Sequence, residues 1–427
     1  MQTEYFNVLE CWHWVMKIIS IFSLIDQIWK PLRMDATSCV APLEVGSSSV
    51  VDIQRKAVGP RLGHWTLIDS PRVLCEIHCL WFPVHQLLSQ DDLCITAQGT
   101  DFISIEETLK DALSGLTTYY EVNHVANPAK TQVCAFHLRN KEAKRQLNVS
   151  WCGTPLSHSE HPVYLGVTLD RYLTFKTHFT KTKAKVSTRN NILRKLTNTR
   201  WGACPKTLRA TALALCFSTA EYACPAWERS THAKKLDPTL NESCRCITGC
   251  LKPTNTNNLY ILAGIAPPVI RRAVASRTER RRQTTDERHP LHGHVPAPSR
   301  LKSRKSFLNS TAPLETTPSE ARLAMWKEKL NNHPHSPTMH IPAAESLPPG
   351  DNNWAKWKCL NRLRSGMGRS REALSRWGPT MFDCGTEPQT MEHLLRCPLL
   401  GGPCTAKDLA LYNTKAQQCT NHWLDII

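Results

Sequence analysis

Residues Gln90-Asp91-Asp92-Leu93-Cys94-Ile95-Thr96-Ala97 set two adjacent carboxylates before a β-prone apolar run. On a hairpin between two strands, such a pair can place at least one carboxylate on a divalent ion. Two Mg²⁺ ions can then bridge an attacking hydroxyl and a nucleotide phosphate. The same dipeptide is common on ordinary solvated turns, so the pair alone fixes no chemistry. Far along the chain, Cys384-Gly385 precedes His393 and Cys397 in the run Gln389-Thr390-Met391-Glu392-His393-Leu394-Leu395-Arg396-Cys397. Thiolate and imidazole suit a tetrahedral Zn²⁺ site, and short spacings close a compact loop around the ion. Without metal, the same residues read as a small helical module with His393 on one helix face.

A third group of residues could act through charge. Lys176, Lys181, Lys183, Lys185, Arg189, Arg194, Lys195 and Arg200 alternate with Phe179, Val186, Ile192 and Leu193. That pattern predicts an amphipathic helix with a basic face. Such a face can track phosphates without reading sequence, and a merely solvated surface helix has the same pattern. Arg271, Arg272, Arg277, Arg280, Arg281 and Arg282 form a second basic block, expected as an electrostatic arm, an import signal or a soluble linker.

Stepping outward from these residues, the 427-residue chain carries 53 Lys and Arg against 36 Asp and Glu, a formal net charge of +17. The excess favours polyanionic partners, with RNA and DNA the usual case; anionic membrane surfaces would satisfy charge alone. Residues 11–29 are apolar but interrupted by Lys17 and Asp26, too polar for a spanning helix, so no membrane is expected. Eighteen scattered cysteines without a convincing secretory signal fit a reduced, intracellular protein, nuclear or cytoplasmic. Residues 1–88 show no usable periodicity. Residues 89–175 carry strand-like runs and 176–265 long helical ones. Residues 266–350, rich in Arg, Pro, Ser and His, read as a basic, largely disordered linker with one helix near Pro318–Asn332. Residues 351–427 read as a small helical module, with Trp354, Trp357, Leu360 and Leu363 at helical spacing for a core. Its Arg362, Arg364, Arg369 and Arg371 are available for phosphate contact.

The order of motifs carries a resemblance. After the Asp pair come a helix and then Asn127-Pro128-Ala129-Lys130-Thr131, leading into a strand expected over Gln132–Leu138. Tyr164-Leu165-Gly166-Val167-Thr168-Leu169-Asp170 and Phe175 follow. Trp201, Ala220-Glu221-Tyr222-Ala223-Cys224-Pro225-Ala226-Trp227 and Leu262-Ala263-Gly264-Ile265-Ala266-Pro267-Pro268 complete the series. This order resembles the later half of a jockey-like, non-LTR retrotransposon reverse transcriptase, from the Asp pair nearly to the chain end. The resemblance implies an α+β fold: a partial palm, a mainly α-helical thumb, and the small helical C-terminal module. It implies Asp91 as the Mg²⁺-ligating carboxylate with Asp92 its neighbour, and Lys130 as the lysine that approaches outgoing pyrophosphate. It also implies Gly166 in the tight palm–thumb hairpin, and Lys181, Lys183, Lys185, Arg189, Arg194 and Lys195 on nucleic acid.

The departures point the other way. Ser89 and Gln90 stand where the family has an aromatic and a small residue. None of Asp26, Asp35, Asp52 and Asp69 has the aspartate-bearing strand context that completes the metal site, and the P-Q-G segment is missing. Two-metal chemistry needs carboxylates converging from separate strands. The expectation is therefore a polymerase remnant that does not extend primers unaided, with a non-catalytic nucleic-acid binder as the alternative. The zinc-knuckle-like pattern is also degenerate. Phe382 stands where the family has its first cysteine, leaving Cys384, His393 and Cys397 as recognised ligands and Cys404 as the nearest further thiol.

Overall fold

The computed structural model describes residues 84–89, 92–97, 99, 101–123, 128, 130–136, 144–198, 202–289, 292–293, 311–332, 344–375, 384–385 and 389–426. Asp26, Asp35, Asp52, Asp69, Asp91, Arg200, Trp201 and Phe382 lie outside these residues. The described chain is mostly helical with a few small strands, an α+β composition. It forms two compact units.

The first unit begins with β1 (Val84–Ser89) and β2 (Asp92–Ala97), an antiparallel pair whose register sets Val84 against Ala97 and Ser89 against Asp92. Helix α1 (Phe102–Asn123) starts where the Asp101 carboxylate accepts the Ser104 N–H at 2.8 Å, a capping bond for an otherwise unpaired first-turn donor. The helix buries Leu113 and Leu116. The Trp151 indole N–H donates to the Thr117 hydroxyl at 3.0 Å, which ties β4 (Ser150–Trp151) to α1. Positive φ at both Cys152 and Gly153 turns β4 back antiparallel to β5 (Thr154–Pro155). The strand expected over Gln132–Leu138 is shorter. β3 is Gln132–Val133, parallel to the equally short β6 (Ser157–His158), and the chain leaves the ladder at Cys134.

The second unit opens with β7 (Val163–Tyr164) and β8 (Val167–Thr168), joined by Leu165 at φ 44° and Gly166 at φ 78°. Two positive φ values in a two-residue loop match the right-handed twist of the flanking strands, and Gly166 adopts its value without steric cost. Leu165 does not. The Tyr222 hydroxyl donates to its carbonyl at 2.8 Å, and the Tyr222 ring lies 3.4 Å from where a Gly166 Cβ would sit. Two motifs separated in sequence therefore meet at one turn. Tyr222→Phe is expected to cost about 1 kcal/mol, the net worth of one neutral hydrogen bond, in urea unfolding of the full chain. An unchanged midpoint would show that other contacts hold the hairpin.

The Asp170 carboxylate accepts the backbone N–H groups of Tyr172 and Thr174 and leads the chain into α2 (Lys176–Leu196). Helix α2 buries His178, Phe179, Thr182, Val186, Asn190 and Leu193, a stripe at three- and four-residue steps. Ile192, expected with that stripe, is 46% exposed, because the 100° step from Leu193 carries it off the buried face. Asn190 is the polar hub. Its amide donates to the Thr239 carbonyl at 2.9 Å, and its oxygen accepts from Ser243 at 2.7 Å. Around α2 lie α3 (Pro205–Ala212), a π turn (Leu213–Phe217), α4 (Ser218–Glu221), α5 (Cys224–Trp227), α6 (Asp237–Thr248) and α7 (Thr256–Ala263).

The expected linker over 266–350 is corrected where it is described. α8 (Pro268–Thr285) buries Ile270, Arg272, Val274, Ser276 and Glu279, and α9 (Pro318–Asn331) starts with a capping box between Thr317 and Glu320. Composition misled here because the arginines are internally paired. Arg271 holds Glu221 at 2.6 Å, Arg272 holds Asp237 at 2.7 Å, and Arg322 holds Glu345 at 2.7 Å. Gly264, at φ 62°, lets the segment around Ser346 pass so close that a Cβ would sit 2.2 Å from the Ser346 carbonyl oxygen.

The C-terminal helices are α10 (Trp354–Ser365), α11 (Arg371–Ser375), α12 (His393–Arg396), α13 (Ala406–Leu411) and α14 (Thr414–His422). Trp354, Trp357, Leu360 and Leu363 are buried, as their spacing requires. Leu360 and Leu363 pack in the core of the C-terminal helices. Trp354 and Trp357 cluster with Leu208 of α3. Trp357, Asn361 and Arg362 donate to the carbonyls of Ile247, Thr248 and Gly249 at 2.9, 3.0 and 3.0 Å, capping the end of α6. Among the described residues, no single helix is long and apolar enough to cross a membrane.

Candidate metal centre and nucleic-acid interface

His393 and Cys397 are four residues apart across the short α12, so one helical turn places both side chains on the same side. Leu394, fully buried, pins that turn into the core, and the Thr390 hydroxyl accepts the His393 N–H at 3.0 Å at its start. Cys384 reaches the same point from a turn at Gly385 with φ 67°. Ligand atoms of Cys384, His393 and Cys397 all lie within 4.8 Å of one another, and Cys384 Sγ is 3.1 Å from His393 Nε2. Sulfur and nitrogen donors sharing one tetrahedral Zn²⁺ would be about 3.5 Å apart, given bonds of ~2.3 and ~2.0 Å. The donor set and its compactness are compatible with that ion. Among the described residues this is the one such group of three or more metal-capable side chains.

Cys404 does not join it. It lies outside that group, buried in the core with Cys359, Leu360, Leu394, Cys397, Leu409 and Trp423. Sequence reading did not single out Cys419 or Trp423, although their four-residue spacing at the end of the chain marks a helix face. Cys419 Sγ lies 3.9 Å from the Leu394 carbonyl oxygen, and Trp423 Nε1 donates to the same oxygen at 2.9 Å. These two side chains therefore hold the turn that carries two of the three candidate ligands.

At the Asp pair, Asp92 begins β2 opposite Ser89, while Asp91 lies outside the described residues. Lys130 is exposed, next to a turn closed by the Thr131 N–H on the Pro128 carbonyl at 3.1 Å.

The basic stripe of α2 divides into two kinds of residue. Lys176, Lys181, Lys183, Lys185 and Lys195 are exposed, flanking the buried stripe or facing away from it. Arg189 is turned inward, whereas Arg194 is exposed and ion-paired at the surface. Arg189 is half-buried and donates to the Leu215 carbonyl at 2.6 Å, satisfying a backbone group in the π turn. Arg194 holds Glu242 at 3.1 Å and Asn191 at 2.6 Å. The lysine face also acts inward. His178 lies beneath it, and burial together with the Lys185 and Lys181 cations pushes its imidazole down to about 4. Sequence reading missed His178, whose place three residues before Lys181 gave no sign of burial.

Two arginines expected at phosphates are likewise committed inside the fold. Arg362 caps Gly249, and Arg364, only 8% exposed, donates to the carbonyls of Pro349, Leu409 and Ala410. Comparison with protein-family models, with curated proteins and with solved structures finds no match for this chain.

Proposed function

We propose that the chain is a nucleic-acid-binding remnant of a non-LTR retrotransposon reverse transcriptase that does not polymerise DNA unaided. In this reading residues 89–175 are the palm-like part, and α2 with its surrounding helices is the thumb. The observation that carries it is the exposure of Lys181, Lys183 and Lys185 around a helix that has one face in the core. Such an array neutralises phosphates without selecting sequence. Order of motifs supports the family reading, as does the meeting of Tyr222 with the Leu165-Gly166 turn. Cys384, His393 and Cys397 would hold Zn²⁺, which would cross-link the loop before α12 to the helix itself.

A specific observation favours the active-polymerase alternative. The register of β1 and β2 sets Asp92 at the start of β2 opposite Ser89, and in that reading Asp91 and Asp92 would meet Mg²⁺. Lys130 would serve the departing pyrophosphate in that case. One preparation separates the readings.

The full chain is assayed for binding to single-stranded RNA over a range of salt, and for Mg²⁺-dependent primer extension on poly(rA)/oligo(dT). Binding is expected without extension. Reversing Lys181, Lys183 and Lys185 to Glu is expected to lower the log–log salt slope by about 2, at ~0.7 per lost single-strand phosphate contact. Unchanged binding in the triple variant overturns the α2 interface. Extension that disappears in Asp91→Ala plus Asp92→Ala overturns the inactive reading.

A further inference from the structure

We infer that the seam between the end of α6 and α10 is a second phosphate-contacting surface for single-stranded RNA, with Lys252 and Lys358 as its contacts. It continues one flank of α2. Lys176, Lys183 and Arg194 follow one another on that helix at steps of seven and eleven residues. Each step returns to within about 20° of the same side of a helix, so the three lie on one line about 27 Å long. The line does not stop where α2 ends. Arg194 Nη2 is 3.1 Å from one carboxylate oxygen of Glu242 on α6, and the other oxygen is 4.0 Å from Arg245 Nη1. Arg245 Nη2 in turn donates to the carbonyl of Lys252 at 3.2 Å, and Lys252 is exposed.

Helix α10 brings two more cations to the same turn. Lys358 and Arg362 are four residues apart and share one side of the helix. Arg362 Nε donates to the Gly249 carbonyl at 3.0 Å. Gly249, at φ 71°, lies so close to the Lys358 stem that a Cβ there would sit 2.5 Å from Lys358 Cγ. Arg245, Lys252, Lys358 and Arg362 are therefore gathered around the turn that follows α6.

Capping does not call for so many. The C-terminus of a helix carries about half a negative charge, which a single cation offsets. Arg245 and Arg362 are held by main-chain carbonyls, and they supply a fixed positive field rather than contacts. The ammonium groups of Lys252 and Lys358 meet the ligand. Burial, followed by the Arg362 and Arg369 cations, holds the Lys358 ammonium below its ordinary range, a penalty that a bound anion reduces. A row of cations suits a repeating anion better than a single one, which points to a nucleic-acid strand. The ligand is thus taken from the reading of α2 above, while the residues are independent of it.

Binding of poly(rU) to the full chain is measured across salt for wild type, for Lys252→Gln plus Lys358→Gln, and for the α2 triple variant. The seam variant is expected to lower the log–log salt slope by about 1.4, from two phosphate contacts at ~0.7 each. Lys252→Arg plus Lys358→Arg keeps both charges and should keep the wild-type slope. If Lys358→Gln does not fold, Lys252→Gln alone serves, with an expected drop of about 0.7. An unchanged slope in the seam variant beside a lowered one in the α2 variant overturns the seam and leaves the α2 interface standing. The reverse pattern overturns the α2 interface and supports the seam. No binding of poly(rU) by the wild-type chain overturns both. Loss of binding to phosphatidylserine vesicles with an unchanged RNA slope would assign the surface to a membrane and overturn the inference.

Discussion

Replacing Arg364 by methionine is expected to destabilise the second unit by about 3–4 kcal/mol while leaving RNA affinity per folded molecule unchanged. The side chain is 8% exposed, and its guanidinium satisfies main-chain oxygen from two separate segments. Nε and Nη2 donate to the Leu409 carbonyl at 3.0 and 2.7 Å, and Nη2 also reaches the carbonyls of Ala410 at 3.5 Å and Pro349. Leu409 and Ala410 lie in the last turn of α13, where carbonyls have no partner within the helix. Methionine keeps much of the volume and removes every donor, so up to three carbonyls lose a partner at about 1–3 kcal/mol each. Burial lowers the Arg364 pKa to about 10, which still leaves the group charged at neutral pH. Its positive charge is stabilised by those oxygens and by the Trp357 ring, 5.9 Å from the guanidinium carbon. Denaturant unfolding measures the loss, and a salt titration of RNA binding measures the other half. A variant that unfolds normally but loses RNA would return Arg364 to the phosphate contact its place in the sequence suggested.

Arg364 also shows what was legible in the sequence and what was not. Periodicity located α2 and α10, because their buried positions recur at helical steps whatever the helices pack against. Turn chemistry located the Leu165-Gly166 hairpin, since a two-residue loop with positive φ needs a glycine or a compensated neighbour. Ligand spacing brought Cys384, His393 and Cys397 together, since four residues on one helical turn fix the second pair locally. Composition failed over 268–285. Six arginines in a short stretch read as a solvated linker, but the carboxylates that pair with Arg271 and Arg272 come from Glu221 and Asp237, far away in sequence. The same kind of failure explains Arg189, Arg362 and Arg364. An arginine looks alike in sequence whether it meets phosphate, carboxylate or a helix-terminal carbonyl, and its partner here is supplied only by tertiary packing. Cys404 is a further case. Chain proximity made it the nearest thiol to the metal ligands, while packing buries it in the core beside them.

Lowering the pH from about 6.5 to about 4 is expected to remove up to roughly 3 kcal/mol of stability through His178 alone, from a pKa difference of ~2.5 units. The imidazole is buried between β8 and the start of α2, its ring near Phe179 and Trp227. Nδ1 accepts the Thr168 N–H at 3.3 Å, so the proton of the neutral ring sits on Nε2, 3.5 Å from the Thr182 hydroxyl. Protonation would put a second proton where a backbone N–H already points. Burial is the larger cause of the lowered pKa, followed by Lys185 and then Lys181. Because the folded value is depressed, the stabilisation is complete above the unfolded value near 6.5. It is lost as pH falls towards 4, where the unfolded chain takes up a proton that the folded chain refuses. Other groups titrate in the same window, so the measurement is the difference between wild type and His178→Gln in urea unfolding across that range. Parallel curves would overturn the assignment. RNA adds a second arm: phosphates seated on Lys181 and Lys185 offset the two cations that repel the imidazolium. Bound RNA should therefore raise the His178 pKa, and NMR titration of its ring with and without RNA reads that shift directly. A ring pKa unmoved by saturating RNA would mean that the nucleic acid binds somewhere other than the lysine face of α2.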